Sequence, residues 1–135
     1  ASLTGMRVLL ADDNPINALL ARTLLAREGC SVTVVQDGEE AVIAAAAARY
    51  DLILLDIRMP RLDGIGAAQR IKAGGGLSAN APIVALTADT GDDERNHAFK
   101  AGMVDFITKP IDAARLLAVA ARFTDAANAA RVAGQ

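Results

Sequence analysis

The chain of 135 residues has room for one domain with a single buried core. Its formal net charge of −2 gives no basic surface for nucleic acid, so we expect no direct DNA binding by this segment. No apolar run approaches the roughly 18 residues of a membrane span, and residues 1–5 lack the basic and apolar regions of a secretory signal.

The first predicted unit is a strand, an acidic turn and a helix. Residues 6–11 form an apolar strand that ends at Asp12 and Asp13. Asn14 and Pro15 then predict the N-cap and first turn of a helix, which Gly29 ends. We expect this helix to bury one face whose residues recur at helical spacing. That face comprises Ile16, Leu19, Leu20, Thr23 and Leu24.

A second unit follows the lone cysteine, Cys30. One cysteine cannot form an internal disulfide, which is consistent with a reducing cytoplasm. Residues 32–35 predict a short strand, and Asp37 with Glu40 resembles a capping box at the start of a helix over about 38–48.

The remaining units are arranged around residues 51–60. Residues 52–55 are an unbroken apolar run, typical of a parallel strand buried on both faces, and the run ends at Asp56. An Asp at the carboxyl end of such a strand lies in the crevice where open α/β sheets bind ligands, so Asp56 is the candidate reactive group. The alternative is that Asp56 only ends the strand or caps the next turn.

Three more helices and two more strands complete the pattern. The elements are a helix after Asp63, a mobile surface loop over 74–82, a strand over 83–86 that ends at Thr87, a helix over about 92–101, a strand over 104–107 before Lys109, and a final helix capped by Asp112. Five strands alternating with five helices predict an α/β fold with helices on both faces of a parallel sheet. We expect the flavodoxin-like strand order 2-1-3-4-5.

The strand ends of this sheet bring chemistry-bearing residues to one edge. They are Asp12 with Asp13, then Asp56, Thr87 and Lys109. Crowded carboxylates raise at least one pKa unless a cation lies among them, and an oxygen-only donor set favours Mg²⁺ over zinc. Lys109 and Thr87 could hold phosphoryl oxygens, with Asp56 as the nucleophile that forms an aspartyl phosphate.

Four segments together resemble the receiver domain of two-component response regulators, most closely the receivers fused to hybrid histidine kinases. The segments are LLADDNPIN, LILLDIRMPRLDG, IVALTAD and GMVDFITKP. The resemblance covers residues 6–123, with residues 1–5 as an N-terminal extension and 124–135 as a tail or helix extension.

The resemblance implies a role for each site residue. Asp56 would accept a phosphoryl group from a phosphohistidine, and Asp13, Asp56 and the Arg58 backbone carbonyl would ligate Mg²⁺, with Asp12 holding the metal mainly through water. Thr87 and Lys109 would bind the phosphoryl oxygens. The Lys109–Pro110 peptide would be cis.

The resemblance also implies a switch and a partner. Phe106 would swing inward as Thr87 moves, changing the surface made by the fourth helix, fifth strand and fifth helix. The partner would be a histidine kinase or a histidine phosphotransfer domain, with a downstream protein or a second copy binding the switched surface. Arg58 and Asp89 differ from the commonest pattern, and we hypothesise that they pair across the mouth of the site and hinder attacking water.

Other functions stay open from the residues alone. A nucleotide- or flavin-binding module is disfavoured because no Gly-rich loop follows the first strand. A haloacid-dehalogenase-like phosphatase would place its nucleophile after the first strand, and a degenerate receiver would lack the full acid, Thr and Lys set. We expect a cytoplasmic domain that catalyses its own phosphorylation and dephosphorylation without being a turnover enzyme. It would be a fragment of a hybrid histidine kinase, with a freestanding regulator as the alternative.

Overall fold

The computed structural model describes residues 3–59, 61–88 and 91–133, with side chains described as far as Phe123. Strands and helices alternate along the chain, in the order expected. They are β1 Arg7–Ala11, α1 Pro15–Arg27, β2 Ser31–Val35, α2 Gly38–Ala47, β3 Leu52–Asp56, α3 Gly64–Gly74, β4 Ile83–Thr87, α4 Asp92–Lys100, β5 Asp105–Thr108 and α5 Ala113–Ala133.

The strands form one parallel sheet in the order β2-β1-β3-β4-β5, so the predicted fold class and strand order are confirmed. Successive strand residues point to opposite faces, and each face builds its own apolar core. Leu10 and Leu54 pack on the side of α1 and α5, whereas Leu9 and Ile53 pack on the side of α2, α3 and α4. Every residue of β3 is buried, as its unbroken apolar run predicts.

The buried face predicted for α1 is wrong except for Leu24, which packs partly against the core. The residues of α1 that pack on the sheet are Ala18, Ala21 and Leu25, while Ile16 and Leu19 are 76% and 63% exposed. Small side chains let the helix approach the sheet closely, and the larger apolar residues therefore lie on the outer side. The exposed residues lie in the first turns of α1, directly after the acidic turn.

Caps predicted from the sequence fix where the helices start. Asn14 Oδ1 accepts hydrogen bonds from the amides of Ile16 and Asn17. Asp37 Oδ1 accepts from the Glu40 amide, and Asp63 Oδ1 accepts from the Gly66 amide. Each cap directs a strand–helix turn at the edge of the sheet where the strands end.

The loop before β4 lies on the surface but is hydrogen-bonded to the end of α2 and to the residues that follow it. Ser78 is buried, its hydroxyl donates to the Ala48 carbonyl, and it accepts from the Tyr50 amide. The backbone amides of Leu77 and Ser78 donate to carbonyls at the end of α2. The glycines end α3, but the serine that follows them anchors the loop.

Ion pairs connect the last strand to the last helix. Asp105, at the start of β5, lies 3.0 Å from Arg115 Nη2 and 3.1 Å from Arg122 Nη2, through its two carboxylate oxygens. Arg115 also donates to the Phe106 carbonyl. In the described part of the chain, the helices are all too short or too polar to cross a membrane.

Candidate functional site

Three aspartates converge at the carboxyl edge of the sheet. Asp12 and Asp13 follow β1, and Asp56 ends β3 beside it. One carboxylate oxygen from each of the three lies within 4.8 Å of the others. Asp12 and Asp56 are buried, whereas Asp13 is exposed, so the cluster has a closed inner side and an open outer side.

Lys109 reaches into this cluster from the end of β5. Its Nζ donates to Asp56 Oδ2 at 2.7 Å and lies 3.4 Å from Asp12 Oδ2. Its backbone amide donates to the Thr87 carbonyl, which fixes the turn after β5 against β4. The next peptide bond, Lys109–Pro110, is cis, as the sequence resemblance implied.

The electrostatics of Asp56 are set by opposing effects. Burial raises its pKa above the usual value for aspartate, and the nearby Asp12 charge adds to the rise. Hydrogen bonds from Lys109 and from the Arg58 amide work in the other direction but do not reverse it. The ionised form of Asp56 is therefore costly, and a further cation at the site would stabilise it.

The donor set fits a divalent metal ion such as Mg²⁺. Asp12 Oδ2 is buried and makes no hydrogen bond within the described residues, its nearest cation being Lys109 at 3.4 Å. The cluster thus offers a buried oxygen without a hydrogen-bond partner among the described residues, an exposed carboxylate on Asp13, and oxygen ligands only. Such a set suits a hard cation that keeps some of its waters.

Thr87 and Phe106, the two predicted switch residues, lie on neighbouring strands. Thr87 ends β4, is buried, and donates its hydroxyl to Glu94 Oε1 at 2.8 Å. Phe106 is half-buried on β5, and the guanidinium of Arg95 lies 4.1 Å from its ring centre. Consecutive residues of α4 thus contact one switch residue each.

Glu94 and Arg95 were missed by the sequence analysis. The acidic start of α4 predicts only a favourable helix dipole, and nothing in the residue pattern shows how α4 lies against β4. Arg58 Nη2 lies 3.8 Å from Glu94 Oε2. Asp89, the partner we had hypothesised for Arg58, lies outside the described residues.

The response regulator receiver domain family matches residues 8–121. The chain belongs to this family. As a receiver domain, it is 41% identical over 120 residues to sensor protein GacS of Pseudomonas syringae pv. syringae, covering 87% of this chain and 13% of GacS. It is 33% identical over 123 residues to the aerobic respiration control sensor protein ArcB of Escherichia coli, covering 91% of this chain and 16% of ArcB. The receiver domain thus spans less than a fifth of these sensor proteins.

Solved receiver structures agree in fold. The receiver domain of sensor histidine kinase PA1611 from Pseudomonas aeruginosa is 38% identical, with a TM-score of 0.83, and the match covers 90% of this chain and 99% of that one. That structure has a magnesium ion coordinated in its active site cleft. Full-length ShkA, solved with AMPPNP, is 55% identical with a TM-score of 0.76, covering 89% of this chain and 24% of ShkA. The receiver domain is therefore homologous to those of hybrid histidine kinases and belongs to a signal-transduction family.

Proposed function

We propose that this receiver domain is the phosphoacceptor of a histidine-to-aspartate phosphorelay and that Asp56 carries the phosphoryl group. The observation that supports this most directly is the hydrogen bond from Lys109 Nζ to Asp56 Oδ2, inside a cluster of three aspartates. This arrangement orients one oxygen of a buried carboxylate and places a fixed positive charge next to it.

The proposed reaction is a phosphoryl transfer between two side chains. A carboxylate oxygen of Asp56 attacks the phosphorus of a phosphohistidine, the new O–P bond forms as the P–N bond breaks, and the electron pair returns to the imidazole nitrogen. Lys109 and Thr87 would hold the phosphoryl oxygens. Because little covalent chemistry is left to the protein, its contribution is positioning and neutralisation of charge.

Asp13, Asp56 and the Arg58 backbone carbonyl would ligate Mg²⁺, with Asp12 acting mainly through water. The Arg58 amide donates to Asp56 Oδ1, so this part of the backbone already lies beside the acceptor. When bound, the ion would neutralise charge on the carboxylates and the phosphoryl oxygens.

The surface beside the site suits a helical partner such as a histidine kinase or a histidine phosphotransfer domain. Ile16, Leu19 and Leu20 are exposed on α1, and a groove of about 450 Å³ lies between Leu19, Val34 and the acidic turn. An apolar strip next to the acidic turn would dock a helix and bring its phosphohistidine toward the three-aspartate cluster.

Phosphorylation would be communicated to a downstream partner through a different surface, made by α4, β5 and α5. We propose that Thr87 and Phe106 move together on phosphorylation and change this surface, which then binds a downstream protein or a second copy of the domain. We also propose that residues 6–123 form the receiver, flanked by residues 1–5 and 124–135, in the cytoplasmic part of a hybrid histidine kinase. A freestanding response regulator is the alternative.

Mg²⁺-dependent labelling with acetyl phosphate tests the proposal. We expect the intact chain to gain the mass of one phosphoryl group, and Asp56→Asn to gain none. Asp92→Asn, an exposed acid on α4, serves as the matched control and should label like the wild type. Equal labelling of Asp56→Asn would contradict the assignment of Asp56 as the acceptor. No labelling of the wild type with Mg²⁺ present would contradict the phosphoacceptor function and support a receiver used only for protein contacts.

A further inference from the structure

Glu94 joins three elements of the site through one carboxylate. It lies in the first turn of α4, and its side chain is only 16% exposed. Oε1 accepts the Thr87 hydroxyl at 2.8 Å, and Oε2 lies 3.8 Å from Arg58 Nη2. The start of α4 is thereby connected to the end of β4 and to the loop after β3.

The contact with Thr87 conflicts with the role proposed for that residue. A threonine hydroxyl carries one proton and can donate it to one acceptor at a time. In the structure that acceptor is Glu94, whereas holding a phosphoryl oxygen on Asp56 requires the same proton. A hydrogen bond to an ionised and largely buried carboxylate is stronger than one between neutral groups. The two acceptors therefore compete for Thr87.

We propose that Glu94 is a positioning residue that retains the Thr87 hydroxyl and so sets how readily Asp56 takes up a phosphoryl group. When the phosphoryl group arrives, the Thr87 proton is redirected to it and Glu94 keeps only its contact with Arg58. The hydrogen bond between the start of α4 and β4 is then broken. This inference rests on the proposed phosphoacceptor function and adds Glu94 as a residue that opposes phosphorylation of Asp56.

Beryllium fluoride is a stable analogue of the phosphoryl group. Its affinity for the domain in the presence of Mg²⁺ therefore measures how strongly Glu94 opposes phosphorylation. Fluorine NMR titration of the intact chain should show Glu94→Ala binding roughly 3- to 10-fold more tightly than the wild type, because one competing acceptor is gone. Glu94→Gln keeps an acceptor oxygen without the charge and should fall between them. Asp93→Ala removes a neighbouring exposed carboxylate from α4 and should bind like the wild type.

A double variant separates an effect through Thr87 from general loosening of α4. In a Thr87→Ala background, Glu94→Ala should leave the affinity unaltered, because the competition no longer exists. An equal gain in both backgrounds would overturn the inference, as would wild-type affinity in Glu94→Ala or, if that variant does not fold, in Glu94→Gln. Failure of the wild type itself to bind beryllium fluoride would overturn the phosphoacceptor function and the inference together.

Discussion

Lys109 Nζ donates to Asp56 Oδ2 at 2.7 Å, although β4 lies between the strands that carry the two residues. The lysine reaches across the end of β4, where its own amide is held by the Thr87 carbonyl. Its side chain is 16% exposed, so the contact is largely shielded from water. One cation therefore already sits on the inner side of the three-aspartate cluster.

Lys109→Met removes that cation without removing a carboxylate. Mg²⁺ should bind more tightly, because the ion no longer competes with an ammonium for Asp56 and Asp12. Beryllium fluoride should bind at least about tenfold more weakly, because a charge-assisted hydrogen bond to it is lost. Calorimetric titration measures both, with Lys100→Met on the exposed side of α4 as the control. Weaker Mg²⁺ binding by Lys109→Met would contradict the competition.

Asp56→Asn should raise the stability of the metal-free domain at neutral pH. Burial raises the pKa of Asp56, so the folded state binds its proton more tightly than the unfolded chain does. Stability is therefore lost as the pH rises from the usual aspartate range through the raised pKa, and at neutral pH the ionised group is destabilising. A neutral amide avoids this cost and should raise the melting temperature by a few degrees. A lower melting temperature for Asp56→Asn in EDTA would show that Lys109 compensates fully.

The same raised pKa predicts how phosphoryl uptake depends on pH. The nucleophile must be ionised, so at a limiting Mg²⁺ concentration labelling by acetyl phosphate should decline on acidification at a pH above the usual aspartate value of about 3.9. Saturating Mg²⁺ should move the decline to lower pH, because a bound cation favours the carboxylate. Carbon NMR of the Asp56 carboxyl group, with and without Mg²⁺, gives the same midpoint without the reaction. A midpoint below 3.9 in the absence of metal would refute this prediction.

Asp13→Asn should remove most of the stabilisation by Mg²⁺ while costing the apo domain little. Asp13 is exposed, and the loss of its charge leaves no buried group without a partner. Wild-type melting temperature should rise with Mg²⁺ concentration, since a ligand that binds only the folded form stabilises it. Asp92→Asn should retain that rise. An undiminished Mg²⁺ effect in Asp13→Asn would exclude it as a ligand.

Gly64→Ala and Gly74→Ala form a matched pair at the two ends of α3. A Cβ at Gly64 would clash with the backbone oxygen of Asp56, whereas at Gly74 it would meet nothing within 4 Å. Gly64→Ala should therefore destabilise the domain by about 1–3 kcal/mol and shift Asp56, weakening beryllium fluoride binding. Gly74→Ala should be neutral or stabilising by up to about 1 kcal/mol. Urea unfolding gives both values, and equal effects would contradict the clash.

The convergence of the candidate site residues was predictable from the sequence because parallel strands bring their carboxyl ends to one edge. An apolar run precedes each of these residues, and the run alone predicts that the residue lies at the carboxyl end of a strand. They are Asp12, Asp56, Thr87 and Lys109. From that position the side chain of Lys109 could equally have pointed to solvent. Its hydrogen bond to Asp56 therefore became known only from the structure.

Contacts that depend on how a helix lies on the sheet were not predictable. The periodicity of α1 fits two faces, and packing chose the one with Ala18 and Ala21, since small residues allow closer approach than Leu19. Glu94 belongs to the same class, because its contact with Thr87 is set by the position of α4. The periodicity of a helix gives its spacing, and tertiary packing decides its orientation.

Two arginines of α5 contact Asp105 at one border of the proposed output surface. Arg115 and Arg122 lie about two helical turns apart on α5, and both contact the carboxylate of Asp105 at the start of β5. Their side chains are 44% and 55% exposed, so the two ion pairs restrain the position of α5 beside β5 only modestly. By contrast, α4 is connected to β4 through the Glu94–Thr87 hydrogen bond, which we propose is broken on phosphorylation. A partner that binds this surface would then respond to a change in the position of α4 relative to α5. Replacing Asp105 would alter partner binding without changing phosphorylation of Asp56.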